Sequence, residues 1–173
     1  MIAALRRLGL ARGAAALVAL GAAWGSTSCI DPVHSDAVAA LGGEVSGQRP
    51  GPSHRPGQDC LVCHGGSGPG SPDFTVAGTV YATRGSTTPL GGVNVVLTDA
   101  NNATKTVVSN GAGNFYITAS QWSPATPIAV KLEYGDKTKV MKSRIGGFGG
   151  CALCHYGADN DPTHMPPVFM SDQ

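Results

Sequence analysis

The chain has 173 residues, a formal net charge of +1 at pH 7 and 13% charged side chains, against the usual ~25%. That balance is too weakly basic to imply nucleic acid or an anionic membrane surface as a partner. With 25 Gly and 12 Pro, the composition favours turns and short strands over long helices.

The first stretch reads as an export signal. Arg6, Arg7 and Arg12 form a basic start, Gly13 to Trp24 is apolar, and Gly25-Ser26-Thr27-Ser28 is small. The apolar run is short for a membrane span; an amphipathic or buried first helix is the rival reading. Residues 1–28 are therefore expected to be a lipoprotein-type signal peptide. Ser26-Thr27-Ser28-Cys29 resembles a bacterial lipobox, with Ser26 where Leu is usual. The resemblance implies lipidation of Cys29, which also accounts for an odd fifth Cys in an oxidising compartment. Export then places the protein in the periplasm or outer membrane of a Gram-negative-type bacterium, held to the membrane by a lipid anchor. Removing residues 1–28 leaves 9 bases against 11 acids, a net charge of −2.

Residues 29–57 read as a flexible linker. Ser35 to Leu41 is expected to form a helical turn or two, with Ser35 as N-cap. Pro50, Pro52 and Pro56 forbid regular structure beyond it. His34 and His54 fall in this segment.

Next comes Cys60-Leu61-Val62-Cys63-His64, within residues 58–72, and the pattern returns as Cys151-Ala152-Leu153-Cys154-His155. Cys-x-x-Cys-His resembles the haem-attachment site of the c-type cytochrome families. The resemblance implies that two thiols three positions apart bond the haem vinyl groups, and that the adjacent His takes the iron from one face. Two copies use four of the chain's five Cys. Rival readings are a four-thiolate zinc site, a redox dithiol or a pair of disulfides. A zinc site has no need of His after both second cysteines, and a redox dithiol needs one copy.

Residues 73–143 change character. Six strands are expected: Phe74–Thr83, Val93–Asp99, Thr104–Ser109, Asn114–Thr118, Ile128–Tyr134 and Lys137–Met141. Turn residues at 99–102, 110–113 and 135–136 separate several of them. Short strands rich in β-branched residues predict a mainly β chain with a single antiparallel β-sandwich, carrying haem-binding loop segments at both ends. Val76-Ala77-Gly78-Thr79-Val80, Pro89-Leu90-Gly91-Gly92-Val93-Asn94-Val95-Val96-Leu97 and Gly113-Asn114-Phe115 resemble the carboxypeptidase regulatory-like (transthyretin-like) β-sandwich family over Phe74 to Lys142. The resemblance implies a fold and no peptidase activity. All five His and the four motif cysteines lie outside it.

Residues 144–173 hold the second motif and a tail with little apolar material. An even count of antiparallel strands brings the two motifs to the same end. Each iron needs a second axial group. His54 and His164 are the candidate distal ligands, with Met165 the runner-up and Met170 a side chain of a fraying terminus. Lys131, Lys137, Lys139, Lys142 and Arg144 form a basic run, read either as protection of sheet edges or as a docking patch for an acidic redox partner.

Together these features point to an electron-transfer protein with two covalent haems c, whose partners are redox proteins such as other cytochromes. Alternatives from other classes are a dihaem peroxidase-like enzyme and a zinc- or disulfide-stabilised surface adhesion module.

Overall fold

The computed structural model describes residues 32–44, 50–157 and 162–172. The expected signal peptide and Cys29 lie outside the described residues. Of the two units into which the chain divides, the one from residue 36 on carries the β structure. Among the described residues, no helix is long and apolar enough to cross a membrane.

Helix α1 spans Pro32–Ala40. It starts three residues before the expected N-cap, so Ser35 lies inside it. Proline suits a first helical position because its fixed φ fits and its missing N–H would have no partner there.

The protein is mainly β. Nine strands follow: β1 Phe74–Thr79, β2 Tyr81–Thr83, β3 Asn94–Thr98, β4 Thr104–Val108, β5 Asn114–Thr118, β6 Ala129–Tyr134, β7 Lys137–Val140, β8 Gly149–Gly150 and β9 Phe169–Ser171. They form sheets of order β4-β3-β6-β7, β5-β1-β8 and β2-β9. Period-2 alternation made the central strands legible. Val95 and Leu97 of β3 are buried, as are Val130 and Leu132 of β6. Val76 and Val80, Phe115 and Ile117 join them in one core.

Two expectations change here. The stretch Phe74–Thr83 is two strands, not one. At Val80 the chain leaves β1, with its N–H on the Gly113 carbonyl, and Tyr81 N–H bonds the carbonyl of Val168, the residue before β9. The count of six strands is therefore too low. Pairing is also not purely antiparallel, since β1–β8 and β2–β9 run parallel.

The segment after residue 143 contributes to this β structure. It supplies β8 and β9, and Met170, expected as a fraying side chain, is 5% exposed and part of the core. Nor do residues 50–57 behave as the end of a loose linker. Asn110 Nδ2 donates to the Pro52 carbonyl at 2.7 Å, Asn114 Nδ2 to the His54 carbonyl at 2.9 Å, and Gly57 N to Thr79 Oγ1 at 2.8 Å. Proline and glycine prevented regular structure there without preventing attachment.

Candidate functional site

The first motif is helix α2, Cys60–His64. Asp59 caps it, accepting from Leu61 N at 3.1 Å, and Gly65 closes it through its N–H on the Leu61 carbonyl. One helical turn puts Cys60 and Cys63 on the same side. The second motif reaches the same layout by other means. Cys151–Leu153 is a 3₁₀ turn, and the Cys154 and His155 N–H groups both return to the Cys151 carbonyl.

The two motif histidines are held alike. His64 Nδ1 lies 2.9 Å from the Pro72 carbonyl, and His155 Nδ1 lies 2.8 Å from the Pro166 carbonyl. A carbonyl only accepts, so in each ring Nδ1 carries the proton and Nε2 is left with its lone pair. This is how a protein orients an imidazole that binds a metal. His64 is also stacked on Phe74 at 4.2 Å between centroids.

Each motif opens on its own cavity. Cys60, Cys63 and His64 line one of about 440 Å³. Cys151, Cys154 and His155 line another of about 550 Å³, with mostly apolar walls. Both volumes fall in the range of cofactor pockets, ~300–1,000 Å³. Phe115 lines both.

The motifs are neighbours. Residues 59 and 150, each just before the first cysteine of its motif, touch: a Cβ on Gly150 would lie 2.5 Å from Asp59 Oδ1. Gly78 of β1 sits under the second motif, where a Cβ would lie 2.7 Å from Cys151 Cβ and 3.0 Å from the Phe115 ring. The strand count behind the expectation of neighbouring motifs was wrong, yet the proximity holds. It comes from β8, which pairs with β1 and delivers Cys151 beside α2.

Two of the motif thiols, Cys60 and Cys151, are held away from the reactive thiolate. Burial first, then the Asp59 carboxylate, pushes Cys60 up to about 11. Burial, then Cys60 and Asp59, pushes Cys151 up to about 12. Burial raises Asp59 itself. A redox dithiol needs the opposite, a stabilised thiolate. Cys60, Cys63, Cys151 and Cys154 are all free of disulfides, and among the described residues no three His, Cys, Asp or Glu side chains converge as a bare metal ion requires.

No protein-family model matches the chain, and no curated protein or solved structure is significantly similar to it.

Of the candidate distal ligands, His54 is brought to the first motif. It lines the same cavity as His64, with ring centroids 5.9 Å apart and planes 32° apart. Two imidazoles bonded at ~2 Å to opposite sides of one metal have centroids about 6 Å apart. His54 Nδ1 meets both the Gly51 carbonyl and, at 3.3 Å, the Gly51 N–H, which hold the ring in place. His164 is placed differently. Its ring packs on Tyr156 at 4.2 Å and its Nδ1 meets Thr163 Oγ1 at 2.8 Å. The second cavity is walled instead by Met141 and Met165, with His155 its one histidine.

Sequence reasoning missed the supporting residues. Pro72 and Pro166 act through main-chain carbonyls, which carry no side-chain signature. Asp59 precedes its motif directly and could have been read as an N-cap. Asn114, 6% exposed, holds the His54 loop and looks like any strand-start polar residue.

Proposed function

We propose that this protein is an exported dihaem c-type cytochrome that transfers electrons, with its haem segments mounted on a β-sandwich. The sandwich would be made by the β4-β3-β6-β7 and β5-β1-β8 sheets; the core shared by β1, β3, β5 and β6 supports it, as does the carboxypeptidase regulatory-like pattern. The observation that carries the functional reading is the repeated arrangement. Two Cys-x-x-Cys-His motifs of different local structure each fix the His ring through Nδ1 on a proline carbonyl, and each opens on an apolar cavity.

The residues present fit haem c. Cys60 with Cys63, and Cys151 with Cys154, would hold one group each through thioethers. His64 and His155 would give Nε2 to the irons. When bound, haem supplies reversible one-electron chemistry. The chain's own part is to orient the imidazoles, raise their basicity through the Pro72 and Pro166 carbonyls, and exclude water with Phe74, Phe115 and Ile145. His54 would give the first group its second ligand, and a methionine of the cavity wall would give the second group its own. A displaceable ligand there would suit a peroxidase-like enzyme, and the single histidine of that cavity is the observation favouring this second reading. The export-signal pattern of residues 1–28 and the lipobox-like Cys29 support a location outside the cytoplasmic membrane, among other redox proteins.

The test is the absorption spectrum of the exported protein. Soret and α bands are expected, from two haems per chain that resist extraction by acidified organic solvent. A colourless exported protein, or one carrying zinc on the motif thiols, would sink the proposal. A high-spin component would favour the enzyme.

A further inference from the structure

The two cavities differ in charge. The charged residues lining the first are Glu44, Arg55 and Asp59, and Arg55 is already committed, with Nε 3.1 Å from Glu44 Oε1. The second is lined by Lys139, Lys142 and Arg144 and by no acid. Lys139 is occupied by Asp172, 3.4 Å away, and by the face of Phe169, 3.2 Å from its ring centroid. Lys131, on the neighbouring strand β6, is paired with Glu133 at 2.6 Å. Lys142 and Arg144 are exposed and enter no ion pair among the described residues. Both lie beyond the end of β7, the edge strand, so protecting that edge does not account for them.

Beside these cations the same cavity carries three exposed apolar side chains: Phe148 at 80%, Val140 at 62% and Leu153 at 53%. An apolar patch with charges of one sign at its rim has the anatomy of a protein-binding surface. The sign selects the partner.

We propose that the face around the second cavity, with Lys142 and Arg144 at its rim, is where this protein exchanges electrons with an acidic redox protein. The inference rests on the haem reading and assigns the second site as the outward-facing member of the pair. A partner with clustered carboxylates is drawn to this rim and not to the first cavity, where Glu44 balances Arg55 and Asp59 adds an acid. Phe148 and Leu153 give it an apolar surface to seat on. Steering of this kind raises association rates by ~10- to 1,000-fold and weakens as salt is added.

The test uses the full haem-loaded protein, a variant Lys142→Glu with Arg144→Glu, and two small oxidants of opposite charge. Stopped-flow oxidation by ferricyanide, an anion, is expected to be about tenfold slower in the variant at low ionic strength, with the difference closing as salt is added. Oxidation by tris(phenanthroline)cobalt(III), a cation, is expected to stay equal or quicken. Midpoint potentials of both proteins are measured alongside. Equal ferricyanide rates would overturn the proposal. So would a slowing fully matched by a lower potential of the second haem, because the cations would then be serving the carboxylates of the bound group. A chain without haem overturns this inference together with the function it rests on; two haems with equal rates overturn this inference alone.

Discussion

Gly150 lies so close to Asp59 that a methyl group on it would stand 2.5 Å from Asp59 Oδ1. Asp59 caps the first motif and Gly150 is the last residue before the second, so one contact sets the approach of both. Gly150→Ala must push Asp59 away or shift β8, and overpacking of this kind costs ~1–3 kcal/mol. Gly146 has nothing within 4 Å of its would-be Cβ, and Gly146→Ala is expected to stay within ~0.5 kcal/mol of the parent. Urea unfolding of the two variants side by side checks this. Equal stabilities would mean that the motifs do not press on each other here.

Asp59 gives a pH-dependent prediction. Burial raises its pKa above the ordinary 3.8. A carboxyl whose folded pKa exceeds its unfolded pKa binds its proton better in the folded state. Its contribution is therefore fully present below the unfolded value and is lost as pH rises through the folded value. Asn at this position keeps the acceptor for Leu61 N and caps as well, without the charge. Asp59→Asn is expected to match the parent at pH 3 and to be more stable at pH 7. A variant less stable than the parent at pH 7 would show that the ionised carboxylate is needed, either by the helix N-terminus or by another partner.

Much of the β fold was legible because strands that bury one face alternate. β3 and β5 follow that pattern, and their expected bounds are within one residue of those found. The split at Val80 was not legible. Val80 is as apolar as its neighbours, and what divides β1 from β2 is the Val168 carbonyl, 87 positions further on, which takes the Tyr81 N–H. β8 was invisible for a simpler reason: Gly149 and Gly150 have no side chains with which to alternate. At the site, the cysteines and histidines of both motifs could be read from spacing. The walls of the second cavity could not, since Val130, Met141, Ile145 and Val168 come from separate segments and meet only through sheet register.

The core makes a further prediction about independence. Val76, Val95, Leu97, Phe115 and Ile117 pack together without either cysteine of the first motif. Cys60→Ala with Cys63→Ala is therefore expected to lower haem from two per chain to one while the β spectrum in far-UV circular dichroism is retained. The paired variant Cys151→Ala with Cys154→Ala tests a harder case, because Cys151 packs against that core and truncating a buried side chain leaves a gap. It should also lose one haem, with lower thermal stability than the first variant. Loss of the β signal in the first variant would show that the core depends on the haem segment.

In the proposed dihaem protein the sixth ligands would differ between the two sites. In the first, His54 and His64 share a cavity, with centroids at 5.9 Å and each Nδ1 held by main-chain atoms. His54 is itself held by its carbonyl, which takes Asn114 Nδ2 at 2.9 Å, so the ring is placed by the β structure and not by a loose tether. In the second, sulfur is what the wall offers. Met165 is bridged to His155 through the backbone, and its N–H bonds the Cys154 carbonyl; paired residues of a bridge send their side chains to the same face, which sets Met165 beside the proximal ring. Met141 directly follows β7 and is half-buried against the core, a separate wall of the same cavity. The oxidised protein is therefore expected to show a methionine–iron charge-transfer band near the red edge of the visible, from one haem of the two, and Met141→Leu should abolish it. Methionine raises the potential relative to a second histidine, so the higher of the two midpoint potentials should be the one that falls in that variant. His54→Ala should instead turn the other haem high-spin and leave the band in place. A band that survives Met141→Leu and vanishes in Met165→Leu would move the ligand to Met165. Absence of any such band in the parent would mean that the second iron takes a ligand other than methionine.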